Sequence, residues 1–313
     1  MTTKRKIEIK GNKARTLKDA REEFMNYNRV RRLAEATMSM YEENLNHFFT
    51  IIPSDTLCKE FTYNQVQEYL MVLNDRYTNV ITITTRIKAT RTFINFCIGK
   101  EYIKNVKIEL PKKPEIIKET YSDADLRKLL KKPDRNSFNQ WKSWMIANFL
   151  LGTGCRVRTA INIQIKDLDI DNQLIYYRET KNKRQTIIPM SSMLKSSLED
   201  YLSLWDNTPD DYLFPNYRGE QMSADAFKRN VQRYNNSRGV TNTSSHSYRH
   251  TFAKNWILNG GDIFRLQKIL SHSTMDMVRK YVNMYSSDLQ IGFDNFNPLD
   301  NISGVKDKIK INR

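Results

Sequence analysis

Residues 105–120 interrupt the chain's helical pattern. From Leu17 to about Ile103 apolar side chains recur at spacings of three and four. Within 105–120 that period is lost, and Pro111, Lys112, Lys113 and Pro114 combine helix breakers with charge. A chain of 313 residues can build two cores of ordinary domain size, and the interruption predicts where they part. The expected organisation is a basic arm (1–16), a helical domain (17–105), a linker (106–120), a second domain (121–285) and a tail (286–313).

In the first domain, Thr37 can open a helix carrying Met38, Tyr41, Leu45, Phe48 and Phe49 that stops before Pro53. Thr62 opens another, with Val66, Tyr69, Leu70 and Leu73 on one face. A third run, Thr82 to Gly99, sets Ile83, Ile87, Phe93, Ile94 and Cys97 among Arg86, Lys88 and Arg91, and ends at a glycine suited to a helix C-terminus. Together these predict a small all-α bundle, with Arg86, Lys88 and Arg91 available to grip a DNA groove or simply to keep an exposed face soluble.

The second domain reads differently. Ser122 with Asp125 resembles a capped helix start, and Trp141 to Leu151 reads as a largely buried helix. The period then changes: Gln173 to Arg178 and Gln185 to Met190 are short, rich in Ile and Tyr, and joined by Glu179-Thr180-Lys181-Asn182-Lys183-Arg184, a hairpin with a basic tip. Helices resume near Ser191 and after Ser223. The expected class is mainly α (α+β) with a small antiparallel sheet.

The net charge of +16 calls for a polyanionic partner. Residues 1–32 hold 11 Lys or Arg against 4 Asp or Glu, residues 33–115 hold 10 against 10, and the remaining excess lies beyond 115. That distribution suggests DNA contact at two places, the arm being either a contact or a solvated tail. No apolar run approaches the roughly 20 residues that span a bilayer, and the first 30 residues carry no signal-peptide block, so a cytoplasmic protein with no membrane partner is expected. Cys58, Cys97 and Cys155 form no C-x-x-C pair and read as reduced, buried thiols.

Six basic and hydroxyl side chains far apart in sequence, Arg156, Lys181, His246, Arg249, His272 and Tyr281, could surround one DNA phosphate. Phosphoryl transfer needs a nucleophile, donors for the charge developing on the non-bridging oxygens, and an acid for the departing oxygen. Arginine suits the donor role because its planar fork binds two oxygens and stays charged. Tyrosine can form the covalent phosphoester if surrounding cations and a base activate it.

Thr153-Gly154-Cys155-Arg156 resembles the Thr-Gly-x-Arg motif of the tyrosine recombinases, also called phage integrases. His246-Ser247-Tyr248-Arg249 resembles their His-x-x-Arg motif, and Leu270-Ser271-His272-Ser273 followed by Tyr281 resembles their Leu-Gly-His-x segment with the nucleophile nine residues on. The Lys181 hairpin ending at Pro189 matches their lysine-bearing turn, and the amino-terminal helical pattern is similar to their core-binding domain. The resemblance covers about residues 17 to 285.

It implies the tyrosine recombinase fold and a transesterification without metal, ATP or other cofactor. Tyr281 would attack the scissile phosphate to give a 3′-phosphotyrosine bond and a free 5′-hydroxyl. Arg156 and Arg249 would clamp the non-bridging oxygens, His272 would add a hydrogen bond, His246 would assist proton transfer from the tyrosine, and Lys181 would protonate the leaving oxygen. Lys183 and Arg184 share the lysine turn and compete for the acid role, which falls to Lys181 mainly from its eight-residue offset to Pro189, and both count as DNA-contacting residues; Tyr285 lies one helical turn past Tyr281 but off the family spacing. His246 and His250, four apart, could share a metal, yet no acidic or cysteine partner lies near them in sequence. The family usually carries Glu or Asp three residues after the motif arginine; here Thr159 stands there, which puts the support of Arg156 in question. Ile291, Phe293, Phe296 and Leu299 in the tail suit docking onto a neighbouring protomer, as family members commonly do, or packing against the protein's own core.

The resemblance thus implies a site-specific recombinase, the integrase or transposase of a mobile element, acting on double-stranded DNA sites. It would form a homotetramer at synapsis and remain a monomer or weak oligomer when free. A type IB topoisomerase-like relaxing enzyme shares the chemistry, and a silent DNA-binding protein is the non-catalytic alternative. With about 16 residues before Leu17, no separate arm-binding domain is expected.

Overall fold

The computed structural model describes residues 15–111, 119–134, 137–178, 186–272, 274, 275, 278 and 279. The chain divides into two compact units, residues 1–116 and 117–313.

The first unit is built from α1 (Leu17–Val30), α2 (Glu35–Phe49), α3 (Tyr63–Arg76) and α4 (Val80–Gly99). Local chemistry sets two starts. The Thr16 and Thr62 side chains each form a capping box, with Asp19 and Gln65 respectively, satisfying amides that a helix N-terminus leaves open. α2 begins two residues before the expected Thr37, after Ala34, which makes no side-chain cap bond. α4 begins at Val80 with Asn79 as its cap. Gly99 does not terminate it in the expected way, since the residue that turns the chain through the left-handed region is Glu101 (φ 60°).

The apolar faces meet in a core of Leu17, Phe24, Leu45, Phe48, Val66, Leu73, Phe93 and Cys97. Each such large side chain contributes on the order of 2 kcal/mol by leaving water. Edge-to-face ring pairs, Phe48 with Tyr69 at 5.0 Å and Phe24 with Tyr41 at 5.2 Å, fix the packing.

In the second unit α5 (Asp123–Leu130) leads to α6 (Phe138–Thr153), then α7 (Val157–Asn162). Strands β1 (Leu168–Asp169), β2 (Leu174–Tyr177) and β3 (Thr186–Pro189) form an antiparallel sheet in that order, with Ile175 opposite Leu168 and Ile188, and Tyr177 opposite Thr186. α8 (Ser192–Leu202), α9 (Ala224–Ser237), α10 (Ser245–Leu258) and α11 (Ile263–Ile269) follow. α6 is the spine. It packs against α5, α8, α9 and α10, and buries Trp141, Trp144, Met145, Phe149 and Leu150.

Ser122, Ser191 and Ser223 cap α5, α8 and α9 through their side chains, which is why those three starts were legible. The strands match the two expected segments to within a residue at each end; two-residue β1 and six-residue α7 are additions. Among the described residues no helix is long and apolar enough to cross a membrane.

Candidate active site

α6 ends at a residue that must be glycine. Gly154 sits at φ +60°, and a Cβ there would lie 2.5 Å from Cδ1 of Phe252 and 2.9 Å from Cδ2 of Leu270. The tight turn brings α6 against α10 and the end of α11, and it hands the chain directly to Arg156, the residue that precedes α7. Thr153 secures the turn: its hydroxyl donates to the Phe149 carbonyl (2.6 Å) and accepts from the Cys155 amide (3.2 Å). Cys155 is buried, and burial pushes its thiol pKa up, in keeping with a packing role.

Arg249, on the first turns of α10, is only 5 % exposed. Its Nη1 donates to the Gly154 carbonyl (2.7 Å) and its Nη2 to the Leu270 carbonyl (2.7 Å), with His272 Nε2 at 2.6 Å. A guanidinium has no acceptor, so His272 Nε2 receives that bond and a neutral ring carries its proton on Nδ1. Arg156 Nη1 reaches the same Leu270 carbonyl at 3.3 Å, with the Ser271 carbonyl at 3.5 Å. One backbone oxygen therefore receives both arginines.

The turn supplying it is itself held. Ser271 takes a left-handed conformation (φ 48°), and Gln267 brackets His272: its carbonyl accepts from the His272 amide (3.0 Å), while its Nε2 donates to the His272 carbonyl (3.3 Å). His246 lies exposed one turn before Arg249, its ring stacked on His250 with centroids 6.5 Å apart. Among the described residues no three His, Cys, Asp or Glu are grouped to hold a metal.

A buried network that spacing did not announce supports the start of α10. Tyr121 donates its hydroxyl to the Ser244 carbonyl (3.0 Å) and its amide to Thr251 Oγ1 (2.9 Å). Asn235 donates to Tyr121 (2.8 Å) and accepts from Tyr248 (2.9 Å). Burial pushes the Tyr121 and Tyr248 phenols far above their ordinary pKa, so both remain neutral donors. Tyr248 sits inside the His-x-x-Arg stretch; its partners come from 121 and 235, and only the fold reveals the set.

The structure thus brings Arg156, Arg249 and His272 together around one point, with His246 on the same helix as Arg249. Converged donors of this kind stabilise charge on a phosphate without reorganising. Thr159 is half-buried on the rim of a cleft of about 410 Å³ that Asp167, Tyr177 and Arg178 also line. Lys181, Lys183, Arg184, Tyr281 and Tyr285 lie outside the described residues.

In the first unit the three basic residues of α4 do not share a face. Arg86 folds its guanidinium over the Tyr77 ring (4.9 Å) with Nε and Nη1 enclosed, whereas Lys88 is exposed and Arg91 half-buried. At about 100° per residue, Lys88 and Arg91 fall about 60° apart and Arg86 about 140–160° from either. Arg86 therefore points away from the side that Lys88 and Arg91 share, with its guanidinium on Tyr77.

The sequence profile described as the phage integrase family matches residues 120–287. The tyrosine recombinase XerC of Staphylococcus carnosus (strain TM300) is 26 % identical over 290 residues, covering 88 % of this chain and 96 % of that protein. Among solved structures, a Tn1549 transposon integrase in complex with transposon right end DNA superposes with a TM-score of 0.70 at 18 % identity, over 88 % of this chain and 96 % of that one. A lambda integrase tetramer bound to a Holliday junction gives 0.71 at 14 % identity, over 86 % and 78 %. At such identities these two likenesses concern the fold.

The chain belongs to the phage integrase family, whose profile covers more than half of it. It is a tyrosine-type site-specific recombinase with the tyrosine recombinase fold.

Proposed function

We propose that this recombinase cuts and rejoins DNA through a covalent 3′-phosphotyrosine bond at Tyr281, without metal or ATP. The observation that carries the reading is the shared coordination of Arg156 and Arg249 by the Leu270 carbonyl, with the His272 ring accepting from Arg249 alongside: two guanidiniums and an imidazole fixed at one point before any substrate arrives. In the reaction the Tyr281 oxygen bonds to phosphorus as the P–O5′ bond breaks. His246 helps move the phenolic proton, Lys181 gives its proton to O5′, and the guanidiniums with His272 hold the non-bridging oxygens. One phosphodiester replaces another, so the reverse attack by a new 5′-hydroxyl needs no energy input.

The substrate is a pair of specific double-stranded sites of a mobile element, with residues 17–105 and 121–285 as the binding and catalytic domains joined by 106–120. Lys88, Arg91, Lys183 and Arg184 supply sequence-independent phosphate contacts. Four protomers assemble at synapsis, the tail beyond residue 285 docking in trans, and the free protein is a monomer or weak oligomer. The likeness to a lambda integrase tetramer on a Holliday junction and to a transposon integrase on DNA supports this part of the reading.

The test is covalent trapping in EDTA on nicked suicide duplexes with randomised cores, sequencing the SDS-resistant adducts beside Tyr281→Phe. Adducts enriched in one sequence and lost in the variant are expected. Adducts without enrichment would indicate a topoisomerase-like activity, and binding without adducts a silent binder.

A further inference from the structure

The end of β2 is anchored on both of its faces. Tyr177, the last residue of the strand, is 3 % exposed and packs its ring beside Thr153, Cys155 and Arg249, so that burial raises its phenol well above its ordinary pKa. The next residue, Arg178, turns the other way and donates Nε to Oδ1 of Asp167. Asp167 is 3 % exposed, and its Oδ2 accepts from the Gln164 amide at 3.0 Å. A buried carboxylate is costly unless it is paired and hydrogen-bonded. Both oxygens are used here, and the cation that neutralises them keeps 56 % of its side chain in solvent.

The platform under Asp167 is fixed as well. The Ile165 amide donates to the Asp211 carbonyl (2.9 Å) and the Lys166 amide to the Pro209 carbonyl (2.8 Å). This platform follows directly on α7, the helix that Arg156 opens. In the sequence Lys181 stands three residues beyond Arg178, and three residues reach at most about 10 Å. The bond between Arg178 and Asp167 therefore ties the strand end leading to the lysine to the element that leads from the first arginine.

We propose that Asp167 is a positioning residue for proton delivery: by holding Arg178 it fixes the point from which the Lys181 segment departs relative to Arg156. This rests on the reading of Lys181 as the acid that protonates O5′. A misplacement of about 1 Å in such a transfer costs about 10²-fold, which one hydrogen-bonded anchor can prevent.

Sulfur substitution separates this role from general stability. When the 5′-bridging oxygen of the scissile phosphate is replaced by sulfur, the departing thiolate, a far weaker base than an alkoxide, leaves without a proton. The experiment measures single-turnover adduct formation on oxygen and sulfur versions of a suicide duplex carrying the sequence recovered by trapping, for the wild type, Lys181→Ala, Asp167→Asn and Arg178→Gln. Lys181→Ala is expected to lose about 10²–10⁴-fold on oxygen and to regain most of it on sulfur. Asp167→Asn is expected to lose about 10–100-fold on oxygen and likewise to recover on sulfur.

Should Asp167→Asn fail to fold, Arg178→Gln removes the same anchor from its solvent-exposed end and is expected to follow the same pattern. An equal loss on both substrates, or none on oxygen, would overturn the proposal while Lys181→Ala still recovers. If Lys181→Ala itself does not recover on sulfur, the assignment of the acid fails and the positioning role falls with it.

Discussion

The clamp of the second unit and the basic helix of the first hold their cations in opposite ways. Arg249 is buried, and its hydrogen bonds run to the Gly154 and Leu270 carbonyls and to His272. Lys88 is exposed on α4, and Arg86, two residues earlier, is folded over Tyr77. A cation locked by backbone oxygens is ready for a transition state, because no ordering remains to be done when charge develops. A solvated cation adds mainly long-range attraction, which salt screens. On the proposed reading, the difference separates residues that set the rate from residues that set affinity.

The largest effect should come from breaking the clamp. Arg249→Lys keeps the charge but loses the fork that binds the Gly154 and Leu270 carbonyls together and that would clamp the phosphate in the proposed reaction. Adduct formation is expected to fall about 10²–10³-fold, the usual cost of one transition-state donor, while DNA affinity by fluorescence anisotropy changes little. Equal losses in rate and affinity would erase the distinction between the two regions.

Gly154→Ala attacks the turn rather than the donor. The new methyl would meet Phe252 and Leu270 inside van der Waals contact at a left-handed φ, so thermal denaturation should show a destabilisation of about 2–4 kcal/mol. Because the Gly154 carbonyl also holds Arg249, cleavage by the surviving folded fraction should fall as well.

On α4 the expected effects are smaller and of another kind. Lys88→Ala and Arg91→Ala should each weaken binding to all sequences alike and reduce the salt slope of the binding constant by about 1. Arg86→Ala should leave that slope unchanged, since its guanidinium lies on Tyr77. A slope that falls with Arg86→Ala would return it to the contacting set.

The smallest effect is a pH dependence of the first unit. Burial, then Arg86 and Arg76, lower the pKa of His47, whose Nε2 meets the Tyr77 hydroxyl at 3.1 Å. The folded state thus favours neutral His47. Its contribution to stability is present above the ordinary value of 6.5 and is lost as pH falls through the lower folded value. The wild type should become easier to denature below about pH 6.5, and His47→Gln should flatten that part of the profile.

What could be read beforehand divides along physical lines. Helix starts at Thr62, Ser122, Ser191 and Ser223 were legible because a cap is a bond between residues two or three apart. Arg156, Arg249 and His272 were legible because they stand in short patterns, and the fold brings both arginines to one carbonyl with His272 bonded to Arg249. β1 was not, since two residues display no period. Nor was the Tyr121–Asn235–Tyr248 network, whose members lie up to 127 positions apart in the numbering. Arg86 shows what proximity in sequence does not display: residues 86, 88 and 91 are close in the chain yet spread around the helix.

The central claim is that a tyrosine, delivered to this clamp, becomes bonded to DNA. The most direct measurement is mass spectrometry of protease-digested adducts trapped in EDTA on suicide duplexes. The expected product is a nucleotide-bearing peptide modified at Tyr281, absent from Tyr281→Phe and strongly reduced in Arg249→Lys. Modification at Tyr285, or adducts that persist in Tyr281→Phe, would contradict it.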